Sequence, residues 1–265
     1  MYSLPRVFQV LGINAVPVLG VLAGGWSTAT ALVLYWFENL FSTLLVALRI
    51  ARHRRVTRKR GHWMASLATT SRRKGRSGSE AKTEASPDFL RDFLGVSLVF
   101  TLGHGVFLAA IVFLMLPETF PEAAIVDFTA LWQGIVIVAA LQVVGAVVDL
   151  MNIGERPFAW IKGISDRVLG RVVVVHLTIV FGMWTMAWLD GPRGLFLVFA
   201  TFKTMVDVSA LAVSPSDVGP ETPPRWIVAI IRRLGGDAKA ADFETFYRQG
   251  RQEEIESRRR WEEPA

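Results

Sequence analysis

From Val7 to Leu48 the chain carries one charged residue, Glu38, and no lysine or arginine. Within that run, Trp26 to Ile50 is long enough to cross a bilayer, whose hydrocarbon core takes about 20 helical residues. Its midpoint is nevertheless polar, in the sequence Tyr35-Trp36-Phe37-Glu38-Asn39. On a helix, Tyr35, Glu38, Asn39 and Ser42 fall at i, i+3, i+4 and i+7 and share one face. Leu34, Phe37, Phe41 and Leu48 are expected on the opposite face, toward lipid. A carboxylate at that depth is expensive, so it should face the protein interior and have a partner there.

The rest of the chain fits an all-α, polytopic membrane helix bundle. Of 265 residues, 52% are hydrophobic, with a mean hydropathy of +0.38, and they cluster in long uncharged blocks. The absence of cysteine excludes disulfides, thiolate metal sites and a cysteine nucleophile. The net charge of +6 is concentrated in loops and tail. It therefore reports orientation and contact with anionic lipid headgroups, and no nucleic-acid partner is expected.

In chain order, residues 7–24 form a first span interrupted by Gly12, Asn14, Pro17 and Gly20, read as a retained helix and not as a signal peptide. The Gly24-Gly25 turn leads into the second span. Residues 51–86 hold eleven Lys/Arg against two Glu, and are expected to be a disordered cytoplasmic loop. The third span runs from Phe89 to Leu116, and the acidic turn Pro117–Glu122 separates it from a fourth, Ile125 to Leu150. After a short mixed-charge inner loop, 152–167, a fifth span covers Val168 to Leu189 and a sixth Leu195 to Val213. Cations on alternate connections predict six helices with both termini cytoplasmic, in a prokaryotic cell membrane. The transmembrane domain is thus 1–213, followed by a tail, 214–265. The tail is a Pro-rich linker, an interfacial amphipathic segment over 225–234 and a charged helix over 239–263, with a possible break at Gly250. In the amphipathic segment Arg225, Trp226, Arg232 and Arg233 are the expected lipid contacts.

Each span after the first places polar groups at membrane depth. The third offers Ser97, Thr101 and His104, the last flanked by Gly103 and Gly105, where another backbone could approach. The fourth offers Gln142, Gly145 and Asp149, and the fifth Arg171, His176 and Thr178. The sixth has Lys203 and Asp207 at i, i+4. Counting about 1.5 Å per residue from the inner helix ends sorts these groups into two layers. Asp149, Arg171 and Asp207 form an inner salt-bridge belt. Glu38, Asn39 and Lys203, with one or both of His104 and His176, form a central candidate site, and Asp207 lies a little deeper than the rest of the belt.

Taken together, Leu34-Tyr35-Trp36-Phe37-Glu38-Asn39, Thr101-Leu102-Gly103-His104-Gly105, Arg171 to Gly182 and Lys203-Thr204-Met205-Val206-Asp207 resemble the uncharacterised membrane proteins grouped as domain of unknown function 6498. The resemblance covers about residues 10–213. It implies a multi-pass architecture and carries no activity, substrate or catalytic residue. After Asp207 the sixth span continues Val208-Ser209-Ala210-Leu211, where the resemblance leads one to expect a further histidine.

Three function classes follow. Proton-coupled transport or conduction of a small solute or ion would use Glu38, Lys203, Asp207 and His104 as a relay, and requires a water-accessible cavity reaching Glu38. A membrane-embedded metalloenzyme would use His104, His176 and a carboxylate, Glu38 or Asp207. No HExxH, GxSxG or Gly-rich phosphate loop supports an enzyme, and no cofactor is predicted. A structural or interaction subunit would hold lipid, a partner or a second copy of the chain through the basic loop and amphipathic tail, and its ion network would only fix helix register.

Overall fold

The computed structural model describes residues 4–65, 88–170, 192–212 and 219–265, and its described elements are helical. Helix α1 spans Leu4–Leu22 and continues through Pro17; α2 spans Thr28–Thr57. Helix α3 starts at Phe89, passes through a π-helical turn at Ile111–Met115 and ends at Thr119. Pro117 has no N–H to give the preceding turn, and a widened turn just before it is a usual accommodation. Helix α4 spans Phe128–Met151 and α5 residues 158–170, while α6 spans Pro192–Ala212 and α7 Arg225–Glu262.

Helix starts are fixed by side chains that satisfy free N–H groups. Ser27 Oγ accepts from Thr30 N at 3.0 Å, and Thr30 Oγ1 accepts from Asp127 N at 2.9 Å. Asp127 Oδ1 in turn caps α4 through Thr129 N at 2.9 Å and Ala130 N at 3.0 Å. The starts of α2 and α4 are therefore tied together at one end of the bundle. At the other, basic end Asp88 caps α3 and accepts from Arg54 Nη1 at 2.7 Å.

Helix α2 is the hub, touching α1, α3, α4 and α6. That centrality overturns part of the lipid face expected for it. Leu34 is 1% exposed and packs beside Gly134 and Trp26, whereas Leu48 is half exposed. Of the glycines beside His104, only Gly105 meets a neighbour. A Cβ there would lie 2.8 Å from Trp36 Nε1, so the close approach is by an indole and not by another backbone. The outer faces of the bundle are apolar: Phe8 on α1, Val99, Val106 and Phe113 on α3, and Phe128 and Trp132 on α4 are all exposed. Contiguous apolar surface of this kind needs a cover. Three helices, Thr28–Thr57, Phe89–Thr119 and Phe128–Met151, are long and apolar enough to cross a membrane. The apolar part of α1, Arg6–Leu22, is shorter. Most of the expected fifth span lies outside the described residues.

The basic end departs furthest from expectation. Residues 51–57 complete α2 and Gly61–Met64 form a further turn, so an ordered structure occupies the first part of the predicted disordered loop; 66–86 lie outside the described residues. The cations there are held by acids from distant segments: Lys59 by Glu262 at 2.6 Å and Arg60 by Glu263 at 2.7 Å. Residues 158–167, expected as loop, belong to α5, with Phe158, Ile161, Ile164 and Val168 buried along one face. Helix α7 breaks at Gly236, where φ is +82°, and runs unbroken through Gly250. Its end returns to the bundle, with the Trp261 ring 5.8 Å from Phe158 and Ala265 N donating to Arg58 O at 2.9 Å.

His53 and His62 sit beneath this returning tail, both fully buried. His53 Nε2 lies 3.0 Å from Arg156 O, which can only accept, so that nitrogen carries the proton. His53 Nδ1 then accepts from His62 Nε2–H at 2.8 Å, and His62 Nδ1 is buried without a partner. Burial in aromatic surroundings lowers both pKa values, His62 to about 3, with its cationic neighbours Arg54 and Lys59 adding to the effect. At Asp88 burial acts upward, but the hydrogen bonds from Arg54 and from the α3 N–H groups hold its carboxyl below the usual range.

Candidate functional site

The five-residue motif at the centre of α2 divides its side chains between two neighbours. Trp36 Nε1 donates to Thr101 O at 2.9 Å and Asn39 Nδ2 to Thr101 Oγ1 at 3.1 Å, both on α3. The Tyr35 ring packs tilted against Phe199 of α6, 4.6 Å between ring centres. Glu38, 2% exposed, turns the same way as Tyr35, and its Oε1 lies 3.0 Å from Lys203 Nζ. A single helical step separates Glu38 from Asn39, and 100° is enough to send them to different helices. Asn39 is therefore a fastener between α2 and α3, not a member of the ion cluster.

Lys203 is the organising cation. Its ammonium lies 2.9 Å from Asp207 Oδ2, donates to Asn14 Oδ1 at 2.8 Å and sits 5.1 Å from the centre of the Tyr35 ring. Asn14 Nδ2 donates to Asp207 Oδ2 at 3.1 Å and to Val10 O at 2.9 Å. The three ammonium hydrogens thus have three acceptors, from α1, α2 and α6. Asp207, assigned by depth to the inner belt, belongs to this central cluster. Asn14, in sequence only an interruption of the first span, is a full member of this cluster. The signal that could have found it is an amide within an uncharged helix at the depth of Glu38, since such a group needs a partner.

The inner layer keeps the expected Asp149 but pairs it with two arginines that were not among the expected belt residues. Asp149, 4% exposed, accepts from Arg6 Nη1 at 2.9 and 3.0 Å and pairs with Arg49 Nη2 at 3.0 Å. Arg6 near the start of α1 and Arg49 toward the end of α2 meet the acid from opposite helix ends. Arg171 and His176 lie outside the described residues. His104 bonds to Phe100 O of its own helix at 2.6 Å. Among the described residues no group of three His, Asp or Glu side chains is placed to hold a metal ion.

A cavity of about 330 Å³ connects the two layers. Arg6, Arg49, Asp149 and Arg167 line its basic-end part, Ser42 its middle, and Glu38 and Asp207 its deep part. Gln142, which also lines it, donates through Nε2 to the Glu38 carbonyl at 3.3 Å and so fixes the backbone beneath the carboxylate. His104 and Asn39 are not among the described lining residues.

Residues 1–223 match the model of a family of unknown function (DUF6498). The chain belongs to that family. The DUF6498 match takes in α1 to α6 and stops before α7 begins at Arg225, so the cavity and both ionic layers lie within the family region. No curated protein and no solved structure matches the chain. The function of the DUF6498 family is unknown, and the match assigns no role to the cavity.

Proposed function

We propose that the protein moves protons, alone or coupled to a small solute or ion, along the cavity between its basic end and the Glu38–Lys203–Asp207 cluster. The observation that carries this reading is one cavity lined both by Arg6, Arg49 and Asp149 and by Glu38 and Asp207. Glu38 and Arg49 are eleven residues apart on α2, roughly 16 Å along a helix. Spread over that length, 330 Å³ leaves a cross-section of about 20 Å², near two waters abreast. Such a passage suits a chain of waters better than a bulky substrate. Two carboxylates share one ammonium at its deep end, so a proton has a place to sit without creating an uncompensated charge.

The topology belongs to the same proposal. Arg6, Arg49, Arg54, Lys59 and Arg156 gather at one end of the bundle, and the excess of cations makes that end cytoplasmic. Both termini then face the cytoplasm, as six spans with the expected fifth at Val168 to Leu189 would require. Trp226, Ile230 and Leu234 form an exposed apolar stripe on α7. Beside Arg225, Arg232 and Arg233 it suits the cytoplasmic lipid interface.

The test is proton flux into liposomes holding purified protein and a pH-sensitive dye. Wild-type protein should dissipate an imposed pH gradient, and Glu38→Gln, which keeps shape but cannot ionise, should abolish the flux while the variant remains folded. Equal flux in the two, or none from wild type, would defeat the reading. A register-fixing role is the second reading, favoured by the complete pairing of the Lys203 ammonium with Glu38, Asp207 and Asn14. It predicts no flux and a large loss of stability in every variant that breaks the cluster.

A further inference from the structure

The cations at the basic end of α2 are of two kinds. Three are matched by acids: Arg49 by Asp149 at 3.0 Å, Arg54 by Asp88 at 2.7 Å and, just past the helix, Lys59 by Glu262 at 2.6 Å. Arg52 and Arg55 are exposed, and no acid among the described residues holds either. Their side of the helix faces outward over much of its length. At roughly 100° per residue, Phe37, Phe41, Leu44, Leu48, Arg52 and Arg55 fall within a sector of about 80°. Leu44 and Leu48 are half exposed there, so an apolar stripe runs straight into a pair of arginines.

The spacing fits a bilayer boundary. With Glu38 at the midplane, Leu48 lies about 15 Å along the helix, the half-thickness of the hydrocarbon core. Arg52 and Arg55 follow about 6 and 10 Å further on. Side chains lean toward a helix's N-terminus, which for α2 is the far side of the bundle. Both long side chains can therefore reach back to phosphate level, where a guanidinium fork matches phosphate oxygens.

We propose that this face of α2 is a binding site for an anionic phospholipid, with its phosphate on Arg52 and Arg55 and an acyl chain along Leu48 and Leu44. Charge complementarity selects the ligand. The leucines accept any acyl chain, whereas two arginines favour a headgroup of net negative charge over a zwitterionic one, whose own ammonium would oppose them. Helix α4 supplies the contrast. Asp149 meets Arg49, so Val148 lies near the depth of Leu48, and it is 56% exposed. That helix ends at Met151 with no cation in its last turn. The same bilayer thus meets an arginine-headed stripe on α2 and a bare one on α4. The site is on the outer surface of the bundle and stands whether or not protons move through the cavity.

The experiment places the full chain in phosphatidylcholine vesicles with a fluorophore on Leu48→Cys or, separately, on Val148→Cys. Quenching is titrated with phosphatidylglycerol or phosphatidylcholine carrying a spin label on the acyl chain. At position 48 phosphatidylglycerol should bind about fivefold more tightly than phosphatidylcholine, the worth of one arginine near an anionic surface. At position 148 the two lipids should quench alike. Adding Arg52→Gln and Arg55→Gln, both exposed, should remove the preference at position 48. Equal quenching by the two lipids there, a preference that survives loss of both arginines, or the same preference at position 148 would overturn the proposal. So would the absence of quenching by either lipid, since protein and not lipid would then cover Leu48.

Discussion

The two most buried polar groupings solve opposite problems. In the central cluster, full charges are enclosed, and Lys203 is tolerable because Glu38, Asp207 and Asn14 surround it. At the basic end, His53 and His62 are enclosed as neutral rings against Phe158, although Arg54, Lys59 and Arg156 lie close by. One region keeps its charges and matches them; the other suppresses charge and packs. The first should fail when a partner is deleted, the second when a proton is added or an atom is forced into the packing.

The largest effect should come from Lys203→Met, which leaves two carboxylates enclosed without a cation. A loss of about 3–5 kcal/mol is expected in denaturant unfolding. Combining it with Asp207→Asn should restore part of that loss, and adding Glu38→Gln should restore more. No recovery in the multiple variants would show that the three groups are not one network.

Acid should act on the other region. Because folding lowers the His62 pKa from 6.5 to about 3, the fold favours the neutral ring. That contribution is complete above pH 6.5 and declines as pH falls toward 3. At pH 5 the decline is on the order of 2 kcal/mol for this residue. A charged His53, Arg54 and Lys59 oppose the added proton, while Asp88 partly offsets it. Faster proteolysis of 225–262 at pH 5 than at pH 7.5 would be the sign of tail release, and equal rates would break the contrast.

Smaller effects sharpen the same division. Gly61 lies against the Phe158 ring with no space for a Cβ, so Gly61→Ala should cost about 1–3 kcal/mol by overpacking, read from the melting temperature. Arg60 and Glu263 are about half exposed, and Arg60→Gln should change stability by less than about 0.5 kcal/mol.

The same contrast explains what could be read from the chain. Glu38, Lys203 and Asp207 stood out because charge is rare in apolar helices, and helical depth brought Glu38 and Lys203 to one level. Depth could not decide azimuth, so Asn39 was grouped with its neighbour although it faces α3. At the basic end composition misled. The cations near Arg54 and Lys59 lie on the outside of a packed turn, and the aromatic side of that turn closes only against Phe158 and Trp261, remote in sequence. The helix at 158–170 was obscured in the same way, since its charged residues masked the spacing of Phe158, Ile161, Ile164 and Val168.

The central claim is that water reaches Glu38 from the basic end. The natural sequence has no cysteine, so one introduced thiol can report on it without background. Ser42 lines the passage one turn from Glu38, while Leu44, at nearly the same depth, is half exposed on the outer face. Thiosulfonate reagents attack only the thiolate, which forms in water and not in lipid. In vesicles with the basic end accessible, Ser42→Cys should react with a small charged, membrane-impermeant reagent while Leu44→Cys does not. If Ser42→Cys is no more reactive than Leu44→Cys, the passage is dry and the central cluster is a structural ion network.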